Sequence, residues 1–168
     1  MLIVFGSKSD YKGPESPAGQ CLKLLKQIGI NYTVKVASCH RSQPKVEECV
    51  KWAINNGTKY VLGIGGLAFH LPGDLRAKLP RRITVAALTT DEVARQSVGC
   101  IPDSCGCAEF GVNNGKTAAL EIGSFFTNIP GYDGVEFKMK TFLEGEAEKR
   151  VIVAEAELHK LLEADNLA

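Results

Sequence analysis

What this chain has little of narrows its function first. Twenty basic residues against nineteen acidic ones leave a formal net charge of only +1, so no field of one sign draws it to nucleic acid or to an anionic membrane. No window approaches the roughly 18 apolar residues of a membrane span. The first residues run straight into a strand pattern, without the basic and apolar regions of a secretory signal. Internal repeats and low-complexity segments are also lacking. Six cysteines could suggest disulfides, but with no secretory signal they are expected to stay reduced, in the cytoplasm. What remains is 168 residues, 45% apolar and 23% charged, enough for one globular domain acting on a small molecule.

Short apolar, β-rich runs alternate with amphipathic stretches. Strands are predicted over Leu2–Phe5, Tyr32–Ala37, Tyr60–Gly63, Ile83–Leu88 and Cys107–Gly111; their nearly continuous apolar character is that of parallel strands covered on both faces. The first helix is predicted to start at Ser16 as N-cap with Pro17 behind it, to carry Cys21, Leu24, Leu25 and Ile28 inward, and to stop at Gly29. A second helix follows Pro44 and ends at the Asn-Asn-Gly of 55–57. Others are predicted from Leu71-Pro72, over Asp91–Val98, and from Gly115 through Phe126. Five alternations of strand and helix imply a doubly wound α/β domain, and right-handed crossovers leave a flavodoxin-like, three-layer sandwich with strand order 2-1-3-4-5. That domain is expected over residues 1–127. Residues 128–142 read as a poorly patterned connection, followed by a long helix over about Glu144–Ala164. Its stripe of Ala147, Val151, Ala154, Leu158 and Leu161 is expected to pack either on the domain or on a neighbouring subunit.

In such a sheet, ligands bind beyond the carboxyl ends of the strands. The first strand ends in Gly6-Ser7-Lys8-Ser9-Asp10, the second in Ser38-Cys39-His40-Arg41-Ser42, and the third in Gly63 through Gly73, with Gly65, Gly66, His70 and Leu71 among them. The fifth ends in Gly111 through Gly115. Gly6, Gly65 and Gly66 allow backbone N–H groups to approach a ligand. The hydroxyls of Ser7 and Ser9 can donate to phosphate, and Arg41 offers a bidentate fork. Asp10 suits sugar hydroxyls, and His40 can move a proton at neutral pH. A serine–aspartate turn is often only a cap, and a single histidine at a strand end is often structural. His159 reads as a solvated surface residue. Together, the strand-end residues describe a phosphorylated ribose with a proton-transfer group beside it.

These segments resemble a known family. GSKSD, SCHRS and GIGGLAFHLPG are similar to the GSxSD, SAHRT and GAGGAAHLPG segments of the PurE family, and FGVNNGKTAAL (110–120) is similar to its IGKAGAANAAL. The family comprises the N5-carboxyaminoimidazole ribonucleotide mutases and aminoimidazole ribonucleotide carboxylases of purine biosynthesis, and the resemblance covers roughly residues 2 to 126. It implies a homo-octamer that uses no metal, no biotin and no other cofactor, with carbon dioxide or bicarbonate as co-substrate or transient intermediate. Carried across by position, Ser7, Ser9, Asp10, Ser38 and Arg41 would hold the phosphoribosyl part. His40 would be the acid/base, and Gly65, Gly66, His70 and Leu71 would wall the imidazole and the carbon dioxide pocket. Arginine after the histidine, here Arg41, resembles the mutase class; the class that uses carbon dioxide directly tends to have lysine there.

The chain departs from the family pattern in three places. Tyr11-Lys12-Gly13-Pro14-Glu15 separates Asp10 from its helix, so GSKSD is expected to hold ribose phosphate with less help from the helix dipole. The insertion itself would reshape the rim or touch a neighbouring subunit. Leu67 and Phe69 replace alanines, with one extra residue before His70, which implies a smaller or displaced carbon dioxide pocket. A Gly-Leu-Asp-like lid is missing, and Cys100, Cys105 and Cys107 stand in its place. Three cysteines so close could form a thiol or metal site, against which Cys107 fits an inward strand position and packs like a small apolar residue. These departures keep open direct carboxylation of aminoimidazole ribonucleotide. They also keep open a relative that makes the pyridinium dicarboxylate precursor of a nickel-pincer cofactor and captures its substrate through a cysteine, here Cys100 or Cys105, and a non-catalytic phosphoribosyl sensor.

Overall fold

The alternation of side chains along one short strand decides how the layers are built. In β1 (Leu2–Phe5) every residue is buried, but Ile3 and Phe5 enter one core cluster and Leu2 and Val4 enter another on the opposite face of the sheet. The computed structural model describes residues 1–164, with side chains through Leu161. Four parallel strands join β1: β2 (Thr33–Val36), β3 (Tyr60–Gly65), β4 (Thr84–Thr89) and β5 (Ala108–Phe110), in the order β2-β1-β3-β4-β5. Helices α1 (Pro17–Gln27) and α5 (Gly115–Thr127) cover the face of Ile3 and Phe5. On the other face lie α2 (Gln43–Asn55), α3 (Leu71–Lys78) and α4 (Glu92–Gly99). This is the flavodoxin-like sandwich expected from the sequence. The edge strand β2 differs from the expectation of full burial: Val34 and Val36 are exposed, because no helix lies beyond a sheet edge. Among the described residues no helix is long and apolar enough to cross a membrane.

Local chemistry accounts for the helix ends. Ser16 Oγ accepts the Gly19 N–H at 3.2 Å and Pro17 takes the first helical position. Gly29 and Gly57, with φ of 90° and 60°, follow the ends of α1 and α2, where the left-handed region favours glycine. Arg76 is buried on α3, and among the described residues it pairs with no carboxylate. Its guanidinium instead donates to Ile83 O at 2.5 Å and Leu79 O at 2.7 Å, which ties the end of α3 to the entry into β4.

The C-terminal region corrects the sequence reading. Residues 135–142 are helical: α6 runs over Val135–Ala164 rather than starting near Glu144. Val135, Met139 and Phe142 pack on the α1–α5 side of the core, and Lys116 pairs with Glu146 at 2.5 Å. Beyond that ion pair the helix leaves the domain, and Val151, Leu158 and Leu161 are exposed. The last residues of the expected C-terminal unit, 165–168, lie outside the described residues.

The register sets up the site. Phe5 pairs with Val36 on one side and with Ile64 on the other, so Gly6, Ala37 and Gly65 lie at one level across the three strands. Thr90 N–H donates to Gly65 O at 2.9 Å, which adds the end of β4 to the same edge. Replacing the cap of α1, Ser16→Ala, is expected to lower stability by about 1 kcal/mol in urea unfolding.

Candidate active site

An open cleft of about 540 Å³ lies over the ends of β1, β2, β3 and β4, within the size range of small-ligand sites. From β1, Ser7 caps a single 3-10 turn, Lys8–Asp10; its Oγ accepts from Ser9 N at 3.4 Å and from Ser9 Oγ at 3.0 Å. From β2 comes a turn closed by Ser42 N–H donating to Ser38 O at 2.8 Å. It carries Ser38, His40 and Arg41 to the cleft wall. Arg41 Nη2 donates to Gly6 O at 3.2 Å, which steadies the guanidinium over the neighbouring strand end while the rest of its fork stays available.

The turn after β3 is built around two bare Cα atoms. A Cβ on Gly65 would run into the Phe69 ring, with Cδ2 at 2.5 Å, and one on Gly66 would meet Asp91 and, at 2.8 Å, Thr90 Oγ1. Phe69 is therefore turned into the core, only 3% exposed, while Leu67 projects to solvent. The bulk that Leu67 and Phe69 add over alanine thus goes outward in one case and into the core in the other. Leu67 has φ of 55°, a left-handed conformation unfavourable for a residue whose Cβ then crowds the following carbonyl oxygen.

Two carboxylates hold this turn. Asp10 Oδ1 accepts the Gly66 N–H at 3.1 Å. Asp91 accepts the Leu67 N–H at 3.1 Å and 3.0 Å through its two oxygens, and caps α4 by accepting from Ala94 N at 2.8 Å. Burial raises the Asp10 carboxyl above the ordinary aspartate range, against the amides of Ser7 and Gly66 that pull it down. Asp91 is the residue that sequence reasoning missed. Its place after Thr89 and Thr90 at the end of β4 is the available signal, which the helix predicted over Asp91–Val98 obscures.

His70 stands apart from the other expected wall residues. Gly65, Gly66 and Leu71 line the cleft, whereas His70 lines an adjoining cavity of about 470 Å³, and His40 borders both. The two rings meet nearly perpendicular, at 85° and with centroids 5.2 Å apart. His40 Nε2 lies 3.0 Å from His70 Nδ1. A hydrogen bond between two imidazoles needs one nitrogen protonated and the other bare, so the pair holds one proton between the rings and leaves His40 Nδ1 and His70 Nε2 for other partners.

The cysteines fall outside the cleft, with one exception. Cys100 and Cys105 line the second cavity. Cys107 packs beside the core with its thiol pushed up to about 11 by burial. Cys39 borders both cavities, and burial raises its thiol too, which keeps it protonated and weakly nucleophilic. Among the described residues no group of three His, Cys, Asp or Glu has metal-ligand geometry. Residues 111–115, after β5, line neither cavity; β5 is the far strand of the sheet, separated from β1 by β3 and β4.

Residues 1–128 match the family model described as AIR carboxylase. The N5-carboxyaminoimidazole ribonucleotide mutase of Methanocaldococcus jannaschii is 33% identical over 133 residues, covering 71% of this chain and 74% of the relative. The probable N5-carboxyaminoimidazole ribonucleotide mutase of Methanobrevibacter smithii is 40% identical over 77 residues, covering 46% of this chain and 22% of the relative. Its counterpart in Methanothermobacter thermautotrophicus is 29% identical, over 71% of this chain and 36% of the relative. The chain thus spans between a fifth and about two-fifths of the length of those last two relatives. The crystal structure of Treponema denticola PurE superposes with a TM-score of 0.72 at 21% identity, covering 94% of this chain and 96% of that one, which shows a shared fold.

Asp91→Asn keeps a good N-cap but loses a charged acceptor for Leu67, and is expected to cost about 1–2 kcal/mol. Adding Leu67→Gly should recover most of it, because glycine takes the left-handed region without strain; a double-mutant cycle in urea measures the recovery. A second expectation concerns pH. The folded state binds the Asp10 proton more tightly than the unfolded state does. The resulting stability is present below the ordinary aspartate value and is lost as pH rises through the raised one. Urea midpoints from about pH 3 to about pH 6 should therefore fall in the wild type relative to Asp10→Asn.

Proposed function

From the premise that the chain belongs to the AIR carboxylase family, we propose that its cleft converts N5-carboxyaminoimidazole ribonucleotide to 4-carboxyaminoimidazole ribonucleotide, a mutase step of purine biosynthesis. The observation that carries this reading is the His40 imidazole on the cleft wall, paired at 3.0 Å with His70. Around it stand the groups a phosphoribosyl ligand needs: the linked hydroxyls of Ser7 and Ser9, Ser38, and the Arg41 fork.

In the proposed sequence the carbamate C–N bond breaks, carbon dioxide forms, and the exocyclic nitrogen takes a proton. C4 of the aminoimidazole is enamine-like and attacks that carbon dioxide directly, with no call for a metal or biotin. The C4–H bond then breaks and its proton passes to His40, which returns it to the exocyclic nitrogen in the next turnover. With Nε2 committed to His70, the proton is exchanged through His40 Nδ1, and the shared proton lets the pair reset its tautomers. Leu71 and the Phe69 side of the turn give the cleft an apolar wall suited to keeping carbon dioxide from water.

Arg41 supports the mutase over direct use of carbon dioxide. The reading in which a cysteine captures a pyridinium substrate has less support, because Cys100 and Cys105 line the other cavity and Cys39 is kept protonated. The ligand is a small molecule; neither nucleic acid nor membrane is a partner. The exposed stripe of Val151, Leu158 and Leu161 supports assembly of several copies, with the homo-octamer as the proposed form.

An ultraviolet assay for 4-carboxyaminoimidazole ribonucleotide tests the reading. Freshly made N5-carboxyaminoimidazole ribonucleotide is expected to react rapidly, and aminoimidazole ribonucleotide with low bicarbonate is expected not to react. The reverse result would establish the direct carboxylase. His40→Asn should abolish turnover, by a factor of about 10² or more, with ribonucleotide affinity nearly unchanged; a variant that keeps most of its activity would remove His40 from the role.

A further inference from the structure

The residues inserted between Asp10 and α1 cover the first turn of that helix and bring a lysine to the cleft. A helix N-terminus just after a strand is a ready anion site, but here the first turn of α1 is covered by the inserted loop. Ser16 Oγ takes the Gly19 N–H at 3.2 Å and donates to Gly13 O at 2.6 Å. A Cβ on Gly19 would collide with Gly13 O and come within 2.6 Å of Pro14 Cα. A backbone carbonyl and a proline thus lie where a phosphate would have to approach, and neither residue lines the cleft.

The same loop carries Lys12 to the cleft wall. It is held on both sides. Before Lys12, Tyr11 sets its ring edge against Phe5, with centroids 6.4 Å apart at 83°, and its N–H donates to Lys8 O at 3.3 Å. After Lys12, Gly13 turns the chain with φ of 95°, a region that favours glycine. Among the described residues Lys12 makes no ion pair. The carboxylates that share its cleft are engaged elsewhere, Asp10 with Gly66 N–H and Asp91 with Leu67 N–H and Ala94 N–H. The same cleft is lined by the hydrogen-bonded hydroxyls of Ser7 and Ser9 and, from the neighbouring strand end, by Arg41.

We propose that Lys12 is a phosphate-binding residue: with Arg41 and the Ser7–Ser9 hydroxyl pair it forms the anion end of the cleft, its ammonium replacing the helix terminus that the inserted loop has covered. The inference rests on the phosphoribosyl reading above and adds the group that recognises the phosphate monoester. A lysine is a point charge on a flexible stem, so it supplies charge where Arg41 supplies direction.

Calorimetric titration of the full chain separates the possibilities. The probes are aminoimidazole ribonucleotide, its dephosphorylated ribonucleoside, and ribose 5-phosphate. Lys12→Gln is expected to weaken both phosphorylated ligands about tenfold, as the loss of a charge-assisted contact should, and to change the ribonucleoside by less than about twofold. Lys12→Arg should keep most of the affinity. Lys8→Gln removes the same charge from the 3-10 turn that precedes the loop, where Lys8 does not line the cleft, and should leave all three ligands nearly unchanged. If Lys12→Gln matches Lys8→Gln, or weakens ribonucleoside and ribonucleotide alike, the inference is wrong although the functional reading stands. A wild type that binds the ribonucleotide no better than the ribonucleoside overturns the phosphoribosyl reading itself, and this inference with it.

Discussion

Two adjacent amides, those of Gly66 and Leu67, hold the cleft together, because each is taken by a carboxylate from a different strand end: Asp10 after β1 and Asp91 after β4. These strands flank β3 on its two sides, so the turn that follows β3 is tied to both of its neighbours. Everything downstream depends on that turn. Phe69 passes into the core over the bare Cα of Gly65, His70 opens α3, and its ring reaches His40. Without the two carboxylates, a leucine in the left-handed region would stand against a conformational cost of about 1–2 kcal/mol with the 3.3 Å hydrogen bond from Ser97 Oγ to its carbonyl left to hold it.

The same bonds decide the chemical character of the cleft. Counted as charges, Asp10 and Asp91 look unsuited to a phosphorylated, carboxylated ligand. Counted as hydrogen bonds, Asp10 Oδ1 and both oxygens of Asp91 are occupied by backbone amides, and beside Asp10 Oδ2 the groups left over are hydroxyls, a guanidinium, an ammonium and an imidazole. Those are mostly donors, and they favour an anion. The cysteines that crowd residues 100–107 stay out of this inventory because Ile101 packs against Gly73 on α3, which carries their loop to the far side of the His40–His70 pair.

Much of this was legible in the linear chain, for reasons that can be named. The strands β1, β3 and β4 announced themselves by continuous apolar runs, and the start of α1 by Ser16-Pro17. The beginning of α6 was hidden although its signal was present. Val135, Met139 and Phe142 are spaced as one helical face, but Pro130, Gly131 and Gly134 just before them read as a broken connection. From the chain order Asp91 is only the first residue of a predicted helix, whereas in the structure its carboxylate both caps α4 and holds the Leu67 amide. His70 was expected in the cleft wall, and only the path of the longer turn, with Phe69 buried ahead of it, sets the imidazole behind His40.

The amino-acid sequence by itself determined which residues stand at the ligand edge. Alternating strands and helices with right-handed crossovers force every parallel strand to end on the same side, so Ser7, Asp10, His40, Arg41 and the glycines had to gather there. What only the tertiary structure decided is which of their atoms are spent and which are free. The contact of His40 with His70, the occupation of the Gly66 and Leu67 amides, the covering of the α1 terminus and the arrival of Lys12 at the wall join residues that the chain order keeps apart. Each depends on strand register and loop path to within a few tenths of an ångström, because a hydrogen bond fails over that distance, and no local pattern in the sequence carries that information.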